Sequence, residues 1–300
     1  MSQPANRPDL HIMFAIIGMV VVIGAVIGGF LMEHGKLLVL VQPAELVIIG
    51  GSALGTLLVG NPLPVVIKII KCVLGVLKPS PYAKAAYLDT LKMLNNLFQY
   101  ARKNGLVKLE ADVEEPEKSP VFSKHPNFLK NHHAVHFLCD TLRMSISGGI
   151  GPFELDSMME LDMEVHHHEA LQPIGALSTM ADALPGLGIV AAVLGVVITM
   201  GALGGPPEEI GHKVAAALVG TFLGILLCYG FCGPLGAYMT KQVEAEGEYY
   251  NCLRVAILAF SRGNAPILAI EFARRSIPSD SRPSFKEMEA ACKGGGAAAA

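Results

Sequence analysis

Four stretches of this chain are long, apolar and almost free of charge. They cover residues 13–32, 37–59, 184–203 and 214–235, and Glu45 is the one acidic or basic residue in all of them. A helix that crosses a bilayer needs about 20 such residues, because lipid satisfies none of its backbone polar groups. The pattern predicts four transmembrane helices. No strand-type alternation of any length appears elsewhere, so the expected fold is all-α, a polytopic membrane protein with a helical soluble portion.

The runs come in pairs. Only Glu33, His34, Gly35 and Lys36 separate the first two, and residues 204–213 separate the last two. Two tight hairpins therefore flank a polar insert. The expected organisation is an N-terminal segment 1–12, a first hairpin 13–59, a helical domain 60–182, a second hairpin 183–236 and a C-terminal helix with a tail over 237–300. Twelve Lys and Arg lie between Lys68 and Arg143, and eight more between Lys241 and Lys293. The hairpin turns hold only Lys36 and Lys213, and the N-terminus only Arg7. Basic residues stay on the cytoplasmic side, so both termini and the central domain are expected inside and the two turns outside.

Composition narrows the function classes. Charged residues make up 16 % of the chain, against about 25 % in an ordinary soluble domain. The net charge of −3 gives no reason to expect a nucleic-acid partner. The six cysteines form no paired framework and read as reduced thiols. Met1–Asp9 is polar and leads into an apolar run too long for a signal core, so no cleaved signal is expected. Residues 294–300 are low-complexity and receive no role.

The insert reads as helical. Leu88, Leu91, Leu94, Leu97 and Phe98 give residues 82–102 a helical period, stopped at Asn104 and Gly105. Pro79 and Pro81 break the chain before it. Residues 110–126 are acidic, hold three prolines and are expected to form an irregular loop. Two further helices are expected over 131–147 and 152–169, and another over 242–275 with an interruption near Gly263 and Pro266.

The second hairpin carries stripes of small residues. Pro185, Gly188, Ala192, Gly195 and Thr199 recur at steps of three and four, as do Ala217, Thr221, Gly224 and Cys228. Each set lies on one side of a helix. Two readings fit: close helix packing, or the wall of a narrow ion path. The GxxxG pairs Gly24/Gly28 and Gly51/Gly55 read as packing surfaces. Pro185 and Pro234 each remove a helical donor and mark either a helix boundary or a hinge. Thr221 either bonds back to its own helix or orients an ion or water. Glu45 either carries a proton within span two or reaches to the interface. His166, His167 and His168 fan around a helix by about 100° per residue and cannot share one ion, so no metal site is expected. No GxSxG, P-loop or nucleotide fingerprint is present; neither enzymatic activity nor a cofactor is expected.

These residues resemble the MotA-type flagellar stator subunits of the MotA/TolQ/ExbB proton channel superfamily. The resemblance is carried by Ala183-Leu184-Pro185-Gly186-Leu187-Gly188 and the run onward to Gly195, by Gly220-Thr221-Phe222-Leu223-Gly224 closing at Gly233-Pro234-Leu235, and by Gln42-Pro43-Ala44-Glu45-Leu46. Arg282-Pro283-Ser284-Phe285 fits the family's tail, and Arg102 with Gly105 and Leu109-Glu110 its cytoplasmic loop. The resemblance implies a homopentamer in the bacterial inner membrane around two copies of MotB, each bringing an ion-binding Asp and a peptidoglycan anchor. It implies that Arg102 and Glu110 face the rotor protein FliG, that Pro185 and Pro234 couple ion flow to movement, and that Thr199 and Thr221 lie along the ion path. Sodium-driven relatives carry Thr where this chain has Ala192, which implies protons as the transported ion. An ExbB/TolQ-type energiser, or a membrane scaffold without ion flux, are the rival readings.

Overall fold

The computed structural model describes residues 8–76, 81–201 and 203–293. The expected break at Pro79 and the low-complexity run 294–300 lie outside them. Among the described residues every regular element is helical. The helices are α1 (Pro8–Met32), α2 (Pro43–Gly60), α3 (Leu63–Gly75), α4 (Lys84–Asn104), α5 (Glu110–Glu114), α6 (Pro126–Leu129), α7 (His132–Ser147), α8 (Pro152–Met200), α9 (Pro207–Leu226), α10 (Gly233–Ser261), α11 (Pro266–Ser276) and α12 (Phe285–Lys293). Four of these stretches are long and apolar enough to cross a membrane, at Met13–Met32, Leu37–Gly60, within Pro152–Met200 and within Pro207–Ser261. The chain divides into two compact units, Met1–Pro79 with Ala170–Lys241, and Ser80–Glu169 with Gln242–Ala300.

The first unit holds the four apolar spans. Ile49, Ala53, Ala181, Leu184, Ala191 and Cys228 form its buried centre. Much of its apolar surface is left uncovered in the single chain: Val20, Val47, Val59, Ile198 and Leu218 are all exposed. Lipid or other subunits must cover such a surface.

Several boundaries differ from expectation. The second span is not one helix from residue 37. Leu37–Leu40 form a 3₁₀ turn, Gln42 is extended, and α2 starts with Pro43 at its first position. The proline ring forces the preceding residue out of the helical region, and its missing N–H costs nothing in a first turn. The expected helix 152–169 and the third span form one continuous helix, α8, which passes through Pro173 and Pro185. A proline weakens a helix without ending it when burial on both sides holds the flanking turns. The polar insert also contains an unforeseen helix, α3, with Leu63, Ile67, Ile70 and Leu74 exposed along one side.

The second unit is a helical domain with a conventional core. Tyr87, Leu91, Leu94 and Phe98 of α4 pack with Leu138 of α7, Leu155 of α8, Leu253 and Ile257 of α10, and Ile270 of α11. Phe98 stacks on Phe260 with ring centroids 4.3 Å apart. The supposed loop 110–126 is largely ordered turns, because Val113 and Phe122 are buried in this core and anchor α5 and a 3₁₀ turn.

The Arg282-Pro283-Ser284-Phe285 motif has a structural role. Ser284 Oγ accepts the Glu287 backbone N–H at 3.2 Å, and Glu287 Oε2 accepts that of Ser284 at 2.7 Å. This reciprocal box caps α12. Glu287 also pairs with Lys84 at the start of α4, at 2.8 Å. Arg282 donates to the Ile277 and Arg275 carbonyl oxygens, and Arg274 to that of Pro283.

Candidate functional site

The two small-residue stripes face each other. A Cβ built on Gly188 would lie 2.8 Å from the Gly220 carbonyl oxygen and 3.3 Å from Thr221 Cα. One built on Gly195 would lie 2.7 Å from Ala217 Cβ. The α8 and α9 backbones thus approach as closely as side chains allow, and only glycine fits at these points. The glycines of the stripes serve the packing of one helix on the other. By contrast, nothing lies within 4 Å of a Cβ on Gly24, Gly28, Gly51 or Gly55. Those two pairs, expected to pack, make no such contact within the chain.

The remaining stripe residues divide by their hydrogen bonding. Thr199 is buried and donates to the Gly195 carbonyl oxygen at 2.8 Å, one turn back. Its hydroxyl is already engaged by its own helix. Thr221 and Ala192 are half-buried beside the seam.

Pro185 sits within a helix, and Pro234 sits where a π-type turn leads into the next one. Pro185 lies inside α8, so the Ala181 carbonyl has no N–H one turn on to receive it. Pro234 is the second residue of α10 and follows a π-type turn, Leu227–Cys232. There the Gly233 N–H reaches back five residues to the Cys228 carbonyl. Wide turns of this kind take up the strain of a missing bond and occur often at functional positions.

Glu45 enters the same seam from α2. It is 6 % exposed, and a Cβ on Gly220 would lie 2.5 Å from its Oε2. The sequence left open whether this carboxyl is held within the span or reaches the interface; the structure buries it. The signal that could have found it was its position in the first turn after Pro43, directly beneath a helix start.

In the second unit, Arg102 ends α4 and Glu110 begins α5. Gly105 between them takes φ +87°, a conformation that favours glycine, and its N–H closes the helix on the Ala101 carbonyl at 2.8 Å. Arg102 and Glu110 are both exposed, and neither forms an ion pair among the described residues. Arg102 borders a cavity of about 370 Å³ that reaches down to Leu142, Leu155 and Ile257.

The histidines form no metal centre: no group of three or more potential ligands converges among the described residues. His166 Nε2 instead lies 3.4 Å from Glu246 Oε1, a contact that is an ion pair when the imidazole is protonated, and the ring stacks edge-on with Tyr250. Tyr82 donates to the same Glu246 carboxylate at 3.0 Å. The Glu246 carboxylate raises His166 above the usual imidazole value against the opposing effect of burial. Burial pushes Glu246 up, but His166 and the Tyr82 hydroxyl outweigh it and hold the carboxyl below its usual range.

Four apolar spans, a glycine-tight helix seam and a separate helical unit define a multi-pass membrane protein. Residues 16–105 match the Motility protein A N-terminal family, and residues 129–251 the MotA/TolQ/ExbB proton channel family. Motility protein A of Escherichia coli (strain K12) is 40 % identical over 277 residues, covering 92 % of this chain and 94 % of that one. Chemotaxis protein LafT of Vibrio parahaemolyticus is 37 % identical over 273 residues, covering 91 % and 96 %. The chain belongs to the Motility protein A family. Its fold is that of the C. jejuni MotAB structure (TM-score 0.73, 19 % identity, 90 % of this chain and 98 % of that one). The flagellar MotAB stator complex from Bacillus subtilis shares it (TM-score 0.69, 21 % identity, 89 % and 96 %).

Proposed function

We propose that this chain is a flagellar stator subunit that forms, with a MotB-type partner, a proton-conducting complex in the bacterial inner membrane and converts proton flow into torque on the rotor. The observation that carries the reading is the α8–α9 seam, to which neither of the two helices contributes a charged side chain, with Thr221 and Ala192 beside its glycine contacts. Family membership and the MotAB folds support the same assignment.

In this reading the partner contributes a membrane helix with an acidic residue. Protonation of that acid removes a charge from a low-dielectric path, and its helix settles against the seam; deprotonation on the cytoplasmic side reverses the step. A membrane potential is worth about 2.3 kcal/mol per charge per 100 mV, enough to bias such a cycle. Five copies of this chain surround the partner. Pro185 within α8, and Pro234 just after the π-type turn Leu227–Cys232, let the spans yield as the acid changes charge. Both termini and the second unit face the cytoplasm, consistent with the twenty Lys and Arg of 68–143 and 241–293. Arg102 and Glu110 then meet the rotor protein FliG through complementary charge. Ala192 offers no side-chain oxygen for Na⁺, which favours H⁺. Swimming speed of cells carrying this chain and its partner tests the assignment: a protonophore abolishes it, sodium withdrawal leaves it intact, and the opposite pattern contradicts proton coupling.

A further inference from the structure

One carboxyl is buried in the first unit without a partner. Glu45 is more than nine-tenths buried, and its Oε2 has no hydrogen-bond partner among the described residues. The oxygen points at α9, where the missing side chain of Gly220 leaves it room. A Cβ at Gly220 would meet Glu45 Oε2 at 2.5 Å, Ala191 Cβ at 3.1 Å and the Ala192 backbone nitrogen at 3.2 Å. Helices α2, α8 and α9 therefore converge on one point, and Thr221 is the next residue along.

No basic group accounts for the carboxyl. Glu45 is the only Asp, Glu, Lys or Arg between Lys36 and Lys68. Residues 13–32 of α1 contain none, and α8 contains none after Asp182. On α9 the nearest titratable groups are His212 and Lys213, and Lys213 already pairs with Glu209 at 3.0 Å. Lys213 precedes Gly220 by seven residues, about 10 Å along the helix. Glu45 lies in the first turn of α2, whose N-terminus favours an anion, but its Oε2 receives no hydrogen bond there, so a buried carboxylate remains costly whereas the neutral acid is tolerated. An apolar side chain would fill the space without that cost, so packing alone does not explain an acid here.

We propose that Glu45 is a proton-binding site of this subunit, a second station on the path beside Gly220 and Thr221. The inference deepens the stator reading and rests on it. In the loading step one carboxylate oxygen takes a proton and forms an O–H bond; in the unloading step that bond breaks and the proton passes on, with no other bond changed. The empty form places a negative charge against the α9 backbone and attracts the next proton. The loaded form is neutral and compatible with the apolar seam.

The test uses the full chain purified with its MotB-type partner in liposomes. Infrared spectra in H₂O and D₂O are recorded across pH, together with proton flux under an imposed gradient. The expected result is an isotope-sensitive carboxylic-acid band that titrates in the wild type, is lost in Glu45→Gln, and is accompanied there by a several-fold loss of flux. An unchanged band and unchanged flux in Glu45→Gln overturn the proposal. If Glu45→Gln does not assemble, Glu45→Asp keeps the acid but draws it back by one methylene. A shifted band and a shifted pH dependence of flux then support the site, and an unshifted pH dependence overturns it. A wild-type complex that shows the band without flux contradicts the stator reading and with it the placement on a path. A wild-type complex with flux but no Glu45 band contradicts this inference alone.

Discussion

Gly188 of α8 and Gly224 of α9 meet backbone to backbone. A Cβ on Gly224 would lie 2.9 Å from the Gly188 Cα and 2.5 Å from the Leu184 carbonyl oxygen. Both obstacles are main chain, so no rotamer change relieves them. Gly224→Ala is expected to destabilise the seam by roughly 1–3 kcal/mol, the usual cost of overpacking. Thermal unfolding in detergent checks this. Gly28→Ala is the contrast: nothing lies within 4 Å of its Cβ, so the isolated subunit should tolerate the change.

Pro185→Leu supplies an N–H to the Ala181 carbonyl and repairs one turn of α8. The helix should hold or gain stability, since an internal proline costs about 3 kcal/mol in a helix. Swimming should nevertheless fall sharply if the weak turn serves coupling. Membrane levels by immunoblot and swimming speed by tracking separate the two effects; normal swimming at normal levels removes the hinge role.

Arg102 and Glu110 are exposed charges that form no ion pair among the described residues. Arg102→Glu should leave the melting temperature nearly unchanged, because exposed charges contribute about 0–1 kcal/mol to stability. Torque on tethered cells should drop, and an opposite reversal on the rotor should restore part of it. Loss of torque without any such rescue argues against direct docking.

The sequence made the four spans legible because lipid demands long uncharged runs, and nothing in the second unit imitates them. The stripe spacing likewise marked one face on each of α8 and α9, but left open whether those faces pack or line a path; that they meet each other needed the structure. The sequence did not show that Pro185 lies within a continuous helix, since a proline looks the same at a boundary and in an interior. Nor did it place Glu45 against Gly220, a contact between residues 175 positions apart in the chain. Arg282-Pro283-Ser284-Phe285 was visible as a family motif, but the Ser284–Glu287 box and the bonds to Lys84 and to the Arg275 carbonyl needed the structure.

The His166–Glu246 pair makes stability depend on pH in a definite direction. Its contact with Glu246 raises His166, so the stabilisation is full below the unfolded imidazole value and fades as pH rises through the folded one. Glu246 is lowered, so its share is present above the ordinary carboxylate range and fades as pH falls. The pair therefore stabilises most at mildly acidic pH. His166→Gln should flatten the alkaline limb of the melting-temperature profile; an unchanged limb shows that the pair contributes nothing.

Proton flux into liposomes, with and without the MotB-type partner, tests the central claim most directly. In the proposed reading the subunit supplies the seam and the partner supplies the acid that completes the path. The chain alone should pass no more protons than empty vesicles, and the complex should conduct until the partner's membrane acid is replaced by its amide. Sustained, selective flux through the chain alone would contradict the account.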